Sequence, residues 1–181
     1  MKKQILHFES IGGASGDMLL GALIGLGVPA EELNEELKSL NVEPFEILAD
    51  EVVEQGMSGV RATVKVEEKQ HGHHHGRHLG TILKLIEGSV LPAPVKFQSS
   101  EVFRHIGEAE AAIHGIDIEK IHFHEVGAMD SIVDIVGCCL ALHKLEVDGI
   151  SIRNLPQGHG TLDCAHGTYP NPAPATLRLL E

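Results

Sequence analysis

Alternating blocks of apolar periodicity along the chain predict a domain that mixes helices and strands. Apolar residues with helical spacing occur in 17–27, 31–40, 79–86, 96–114, 130–145 and 174–181. Period-two alternation or short apolar runs predict strands at 5–8, 45–54, 60–68, 121–126 and 150–155. The second and third of these strands flank a glycine-containing turn and predict an antiparallel hairpin. We therefore expect an α/β (α+β) layered domain, with helices packed on a mixed sheet.

The remaining stretches are predicted as connections. A glycine-rich loop at 11–16 joins the first strand to the first helix, and 91–94 is a proline-containing linker. The histidine-rich stretch 69–78 has no apolar residue to bury, so we expect a mobile loop, and 158–172 is expected to be a turn-rich loop. A length of 181 residues fits a single domain. No residue caps the last predicted helix, so we expect residues 1–181 to belong to a longer protein.

Composition excludes several classes of function. The chain has 14 Lys and Arg against 26 Asp and Glu, a net charge of −12, which argues against binding of nucleic acid. No apolar run approaches the roughly 18 residues of a membrane span, and the first residues become polar too early for a signal peptide. Three cysteines (Cys138, Cys139 and Cys164) cannot form a disulfide framework, and the first two lie in an apolar helix. We therefore expect a reducing, cytoplasmic environment.

Histidine is unusually abundant, with 13 residues. Imidazole and carboxylate together are ligands for Zn, Ni, Co and Mn, so the composition indicates metal handling. Five of the histidines lie within eight residues, at His71, His73, His74, His75 and His78. Such a tract suits exchangeable capture of a divalent ion, and His78, at the start of a helix, is expected to be held most rigidly. The alternative is a solubilising, tag-like tract.

A second cluster of candidate ligands lies at 122–134. His122 and His124 point to the same face of an extended segment, and Asp130 and Asp134 lie four residues apart on the following helix and share a face. That helix is apolar nearly all round, so Asp134 is expected to be buried, where an unpaired carboxylate is costly. These residues, with Glu125, predict a site for a divalent cation. The alternative is a capping Asp130 and an Asp134 satisfied by backbone or by an arginine.

The loop 12–17 lies between a strand and a helix, where backbone N–H groups can bind an anion. The residues available for this are Gly12, Gly13, Ser15 and Gly16. Asp17 is either a cap of the helix or a ligand of a phosphate-bridging cation. The loop fits neither a Walker A motif nor a dinucleotide-binding motif. Farther along the chain, the glycine beside His166 lets the backbone approach a ligand closely, although an ordinary turn is the alternative.

Together these motifs resemble the LarC family, the nickel insertion proteins for pyridinium-3,5-bisthiocarboxylic acid mononucleotide, which yields the nickel-pincer cofactor of lactate racemase. The resemblance follows the chain in order through 13–18, the histidine tract ending at His78, 109–115, 122–134 and 166–176. Its most specific part is the block 122–128.

The resemblance implies a CTP-dependent nickel cyclometallase, a lyase-class enzyme that inserts Ni²⁺ into the mononucleotide precursor by forming Ni–S bonds and a Ni–C bond. It implies that residues 1–181 are the N-terminal, metal-handling part. The CTP site, with Mn²⁺ or Mg²⁺ as its accompanying ion, is expected in a C-terminal half that follows, and activity is expected of the full-length protein.

The chemistry leaves roles and alternatives open. Formation of a Ni–C bond requires loss of a ring proton, and Glu125, His124 and Asp17 are the candidate bases. One alternative function is nickel storage or delivery without catalysis, and another is a metal-dependent phosphoesterase that uses the same histidines and aspartates. The oligomeric state, including a homo-oligomer, also stays open.

Overall fold

The structure is a computed structural model that describes residues 3–10, 12–66, 76–123, 126–153, 155–164 and 167–181. Its helices are α1 (Gly16–Gly25), α2 (Ala30–Leu37), α3 (Leu79–Gly88), α4 (Ala93–His114), α5 (Met129–Lys144) and α6 (Pro174–Leu180). Its strands are β1 (Ile5–Phe8), β2 (Phe45–Glu54), β3 (Met57–Val66), β4 (Arg77–His78), β5 (His122–Phe123), β6 (Gly149–Ile152), β7 (Thr161–Cys164) and β8 (Gly167–Pro170). The predicted α/β class and the predicted antiparallel hairpin, β2–β3, are confirmed.

The described strands pair two by two. The pair β1–β6 is parallel, whereas β2–β3, β4–β5 and β7–β8 are antiparallel. The sequence predicts one mixed sheet. The described strands instead form separate two-stranded sheets, one of them parallel and the others antiparallel. Strands outside the hairpin have two to four residues each, so the packing of helices, and not a continuous ladder, joins the pairs.

The stretch 158–172 is not the simple loop that the sequence predicts, because β7 and β8 form a second hairpin there. Its only half-buried cross-strand pair among the described side chains is Leu162 opposite Tyr169. A hairpin with so little buried surface has almost no hydrophobic alternation, which is why the pattern of the sequence does not reveal it.

The starts of helices α4 and α5 also differ from the prediction. Helix α4 begins at Ala93, inside the predicted linker. Pro94 is compatible with the first turn of a helix, because the N–H group that proline lacks would have no intrahelical acceptor there. Helix α5 has Ala128 at its N-cap position, and Asp130 lies in the first turn instead of capping the helix.

The core that positions the candidate site lies between α1, α2, α5 and the β2–β3 hairpin. Leu20 and Leu37 are fully buried, and both contact the position where a Cβ on Gly137 of α5 would lie. Helix α1 crosses the hairpin at Gly21, where a Cβ would lie 2.6 Å from the carbonyl oxygen of Val60. These close approaches hold the start of α1 against α5.

A second layer consists of α3 and α4. Ile82 of α3 and Phe103 of α4 are fully buried, and the Phe103 ring lies 6.5 Å, centroid to centroid, from the ring of Phe123 in β5. The short β4–β5 pair is therefore anchored on this layer. Within the described ranges, no helix is both long and apolar enough for a membrane span.

Candidate metal and cofactor site

Asp134 lies on the second turn of α5 and faces the start of α1. A Cβ built on Gly16 would lie 2.7 Å from both Cβ and Oδ2 of Asp134, so the two residues are in close contact. Oδ1 of Asp134 is buried and has no hydrogen-bond partner among the described residues. The backbone or arginine partner that the alternative interpretation requires is therefore not found for this oxygen in the described part of the chain.

Burial and the neighbouring negative charges all raise the pKa of Asp134. Burial, together with the negative charges of Asp17 and Asp130, raises the pKa of Asp134 from 3.8 to about 6. The three carboxylates thus share one electrostatic environment at the starts of α1 and α5. A bound cation would favour the ionised form of Asp134 by offsetting this repulsion.

Cys138, one helical turn after Asp134, belongs to the same contact between α1 and α5. Its Sγ donates to the carbonyl oxygen of Gly16 at 3.7 Å. Burial raises the pKa of the Cys138 thiol to about 12, with further contributions from the charges of Asp134 and Cys139. The thiol is therefore protonated near neutral pH, as is typical of a cysteine in apolar surroundings.

Asp17 lies in the first turn of α1, with Ser15 at the N-cap position. Its Oδ1 accepts hydrogen bonds from the Ser15 hydroxyl and from the Met18 N–H, the latter at 2.9 Å. A carboxylate here is also favoured by the helix dipole. These contacts agree with a role of Asp17 in stabilising the helix start, while a role toward phosphate or a cation stays a prediction.

The glycine loop is open on the side of Gly12, where a Cβ would meet no atom within 4 Å. Gly13 has φ of +133°, a conformation that favours glycine, and its carbonyl oxygen accepts a hydrogen bond from the Ser10 hydroxyl. The loop therefore has both the backbone freedom and the space that a small anionic group needs beside the first turn of α1.

The second candidate centre is a pair of histidines on the β4–β5 ladder. His78 lies opposite His122 in register, and their rings meet edge to face with centroids 4.8 Å apart. Nδ1 of His78 lies 3.1 Å from the carbonyl oxygen of Ile121. If Nδ1 carries the proton and donates to this carbonyl, Nε2 is the nitrogen with a lone pair for a metal ion.

Arg77 joins this ladder to the segment that follows it. Its Nη1 donates to the carbonyl oxygen of Gly127 at 2.8 Å, and its Nη2 pairs with Oε2 of Glu43 at 2.5 Å. Neither Glu43 nor Cys138 is a candidate in the sequence analysis. The spacing of four residues between Asp134 and Cys138 is a signal that could have identified the cysteine. No local pattern connects Glu43 with Arg77.

The structure therefore describes two groups of the predicted site residues. Asp134 lies against Gly16 within the electrostatic influence of Asp17 and Asp130, and the ring of His78 contacts the ring of His122. In the described ranges no three or more His, Cys, Asp or Glu side chains are arranged to hold a metal ion. The other predicted site residues lie outside the described residues: His71, His73, His74, His75, His124, Glu125 and His166. The same holds for most of the predicted mobile loop, whose end at Arg77 and His78 forms β4.

Comparison with known proteins decides the family. The sequence model of the family described as nickel insertion protein matches residues 6–181. The chain belongs to the nickel insertion protein family. A protein of Geobacillus kaustophilus named pyridinium-3,5-bisthiocarboxylic acid mononucleotide nickel insertion protein is 45% identical over 184 residues, which cover 98% of this chain and 45% of the relative. Proteins of the same name from Staphylococcus epidermidis and Staphylococcus saprophyticus are 44% and 43% identical over 97% of this chain and 44% of their own lengths.

The chain thus spans somewhat less than half of the nickel insertion proteins that it matches. No solved structure matches it. The resemblance to the nickel insertion family that the motifs indicated is confirmed. The residues whose role toward nickel needs an explanation are therefore Asp134 with its acidic neighbours and the pair His78 and His122.

Proposed function

We propose that this chain is the nickel-handling part of a protein that inserts Ni²⁺ into pyridinium-3,5-bisthiocarboxylic acid mononucleotide, forming the nickel-pincer cofactor. The relatives carry the name of this nickel insertion. The observation that supports a role of this part of the chain is the buried Oδ1 of Asp134, which has no hydrogen-bond partner among the described residues although the charges of Asp17 and Asp130 act on the same carboxylate. Such an arrangement is costly in the folded protein unless a cation binds, so it favours a functional cluster.

The histidines take the first role in this proposal. The tract 71–75 captures Ni²⁺, and the pair His78 and His122 receives it, because imidazole is a good ligand for nickel. His124, Asp130 and Asp134 then complete its coordination. The edge-to-face contact of His78 and His122 supports the second step, since two imidazoles already lie within reach of one ion.

The glycine loop takes the anionic part of the precursor. Backbone N–H groups near Gly12, Gly13, Ser15 and Gly16 lie at the positive end of the α1 dipole, which favours a phosphate. His166 is proposed to contact the same molecule. The open space beside Gly12 supports this role.

A base must remove a ring proton when the Ni–C bond forms. Glu125, His124 and Asp17 are the proposed candidates for this base.

The complete reaction is proposed for the full-length protein, in the cytoplasm, as a CTP-dependent cyclometallation of the lyase class. CTP, with Mn²⁺ or Mg²⁺, is proposed to bind in the part of the relatives' length that this chain does not span. The oligomeric state, including a homo-oligomer, is left open by the proposal.

The decisive experiment measures cofactor formation by the full-length protein with the precursor, Ni²⁺ and CTP. Asp134→Asn keeps the size of the side chain but removes its charge, and we expect at least about a 100-fold loss of rate. Asp50→Asn is the matched control, because Asp50 is exposed on the β2–β3 hairpin, and its rate should not change. A wild-type protein that binds Ni²⁺ but forms no cofactor would identify a storage or delivery protein. Release of phosphate with Mn²⁺ or Zn²⁺, without nickel, would identify a phosphoesterase.

A further inference from the structure

The guanidinium of Arg77 bridges three segments of the chain. Arg77 begins β4, Glu43 lies just before β2, and Gly127 lies between β5 and α5. Arg77 is bonded to the carbonyl oxygen of Gly127 and to the carboxylate of Glu43, and its side chain is only 17% exposed, against 42% for Glu43. Its planar, forked donors suit this double contact, which the single ammonium group of a lysine would not reproduce.

The backbone segments around Arg77 are in close contact, with no space for a side chain at the two glycines. A Cβ on Gly127 would lie 2.5 Å from the carbonyl oxygen of Phe123 and 2.6 Å from the backbone nitrogen of Arg77. A Cβ on Gly76 would lie 2.8 Å from Cε1 of His122, and closer still to the Phe123 carbonyl. Both glycines allow β4 to lie directly against the segment 122–127.

The ladder itself is too short to hold its own geometry. It has two residue pairs, Arg77 with Phe123 and His78 with His122. Isolated two-stranded ladders are marginal even when they are longer than this. The side-chain bonds of Arg77 therefore contribute to the orientation of β4, and the relative orientation of the two imidazoles depends on β4.

We propose that Arg77 is a positioning residue, which presents His78 and His122 as a pair to nickel through its bonds to Gly127 and Glu43. The inference rests on the proposed function, since it assigns a role toward the same ion. Residues that orient metal ligands without touching the metal typically change its affinity by about 10- to 100-fold when they are replaced.

Replacement of Arg77 should leave the fold intact. A cavity of about 400 Å³ adjoins the bridge, lined by Asn41, Glu43, Thr81 and Leu85 among others. When Arg77 is replaced by alanine, water in this cavity can reach Glu43, so the carboxylate of Glu43 is not left buried and unpaired. Partly exposed ion pairs also contribute little to stability.

The test is titration of the full-length protein with Ni²⁺, and with Co²⁺ as a spectroscopic probe. The starting protein has His71, His73, His74 and His75 replaced by alanine, so that binding by the tract does not obscure the pair. In this background we expect Arg77→Ala to weaken Ni²⁺ binding about tenfold and to alter the Co²⁺ absorption spectrum, and Arg77→Lys to recover part of the affinity. Arg61→Ala is the matched control, because Arg61 pairs with Glu54 on the exposed face of the hairpin, and it should bind as the background protein does.

A double-mutant cycle separates positioning from general destabilisation. Once His122→Ala has removed one member of the pair, Arg77→Ala should cause no additional loss of affinity. Unchanged affinity and spectrum in a folded Arg77→Ala variant, or a full additional loss in the His122→Ala background, would overturn the positioning role alone. If Arg77→Ala does not fold, Arg77→Lys and Glu43→Gln are judged by the same criteria. A background protein that binds no Ni²⁺ would overturn the positioning role and the assignment of His78 and His122 as nickel ligands, whereas the proposed function as a whole is overturned only if the wild-type protein also binds no Ni²⁺.

Discussion

Gly16 and Asp134 touch across the contact between α1 and α5, with no room for a side chain on the glycine. The contact brings the first turn of one helix against a carboxylate on the second turn of another, and it places the Asp134 side chain within the electrostatic influence of Asp17 and Asp130. The end of the glycine-rich loop and the first two turns of α5 therefore lie together at one place in the fold.

Alanine at position 16 should disturb this cluster. The new Cβ would lie 2.7 Å from Asp134, so the carboxylate must shift, and we expect a loss of about 1–3 kcal/mol in the free energy of unfolding, as for other overpacked sites. Urea denaturation measures the loss, and titration with Ni²⁺ should reveal weaker binding. Gly12→Ala is the control in the same loop, since its Cβ meets no atom within 4 Å. Equal effects of the two substitutions would contradict a specific role of the Gly16–Asp134 contact.

The charge of Asp134 should make the metal-free protein less stable as the pH rises. The pKa of Asp134 is higher in the folded protein, at about 6, than its ordinary value of 3.8. The folded state therefore holds the proton that the unfolded state releases, so the contribution of Asp134 to stability is complete below about pH 4 and is lost as the pH rises to about 6. Asp134→Asn should accordingly stabilise the protein relative to wild type at pH 7 but not at pH 4, measured by urea denaturation with a chelator present.

The prediction for Asp134→Asn is checked with a control substitution and with added Ni²⁺. Asp50→Asn, on the exposed hairpin, should leave the difference between pH 4 and pH 7 as it is in wild type. Addition of Ni²⁺ should raise the stability of wild type more than that of Asp134→Asn, because the variant lacks the charged carboxylate that is proposed to coordinate the ion. A flat difference between wild type and Asp134→Asn across this pH range would contradict the assigned burial.

Helix α1 should be intolerant of any side chain at Gly21. A Cβ there would lie 2.6 Å from the Val60 carbonyl oxygen and 3.1 Å from the Ala62 nitrogen, both backbone atoms that cannot move aside. We expect Gly21→Ala to lower the free energy of unfolding by about 1–3 kcal/mol despite the higher helix propensity of alanine. Gly25→Ala, in the same helix, makes only ordinary contacts with the Val60 side chain and should leave stability unchanged or slightly higher. Chemical denaturation of the two variants side by side tests the close approach of α1 and β3.

The thiols of α5 should resist alkylation in the folded protein. Burial raises the pKa of Cys138 to about 12 and also raises the pKa of Cys139. At pH 8 Cys138 is therefore almost entirely in the thiol form, and the thiolate is the reactive form. In a Cys164→Ser background, iodoacetamide should therefore modify neither residue of the native protein and both residues in urea, as followed by peptide mass spectrometry. Rapid labelling of the native protein would contradict the packing of Cys138 against Gly16.

Local patterns in the sequence account for most of the elements. Apolar spacing identified the helices and the β2–β3 hairpin, because these elements bury one face along many consecutive residues. It missed the β7–β8 hairpin, where burial is confined to a single pair, and it placed the start of α4 too late because Pro94 resembled a helix breaker. For the site, the abundance of histidine and the apolar surroundings of Asp134 indicated which residues to consider.

By itself the sequence determined the family and the fold class and indicated the apolar surroundings of Asp134, since each follows from residues that are close together or in a fixed order along the chain. Only the tertiary structure decided that Gly16 lies against Asp134, that His78 faces His122, and that Arg77 reaches Glu43 and Gly127. These contacts join segments far apart in the chain, and they result from the packing of α1, α5 and the short ladder on one core. Periodicity records which face of an element is buried, but not which other element covers it.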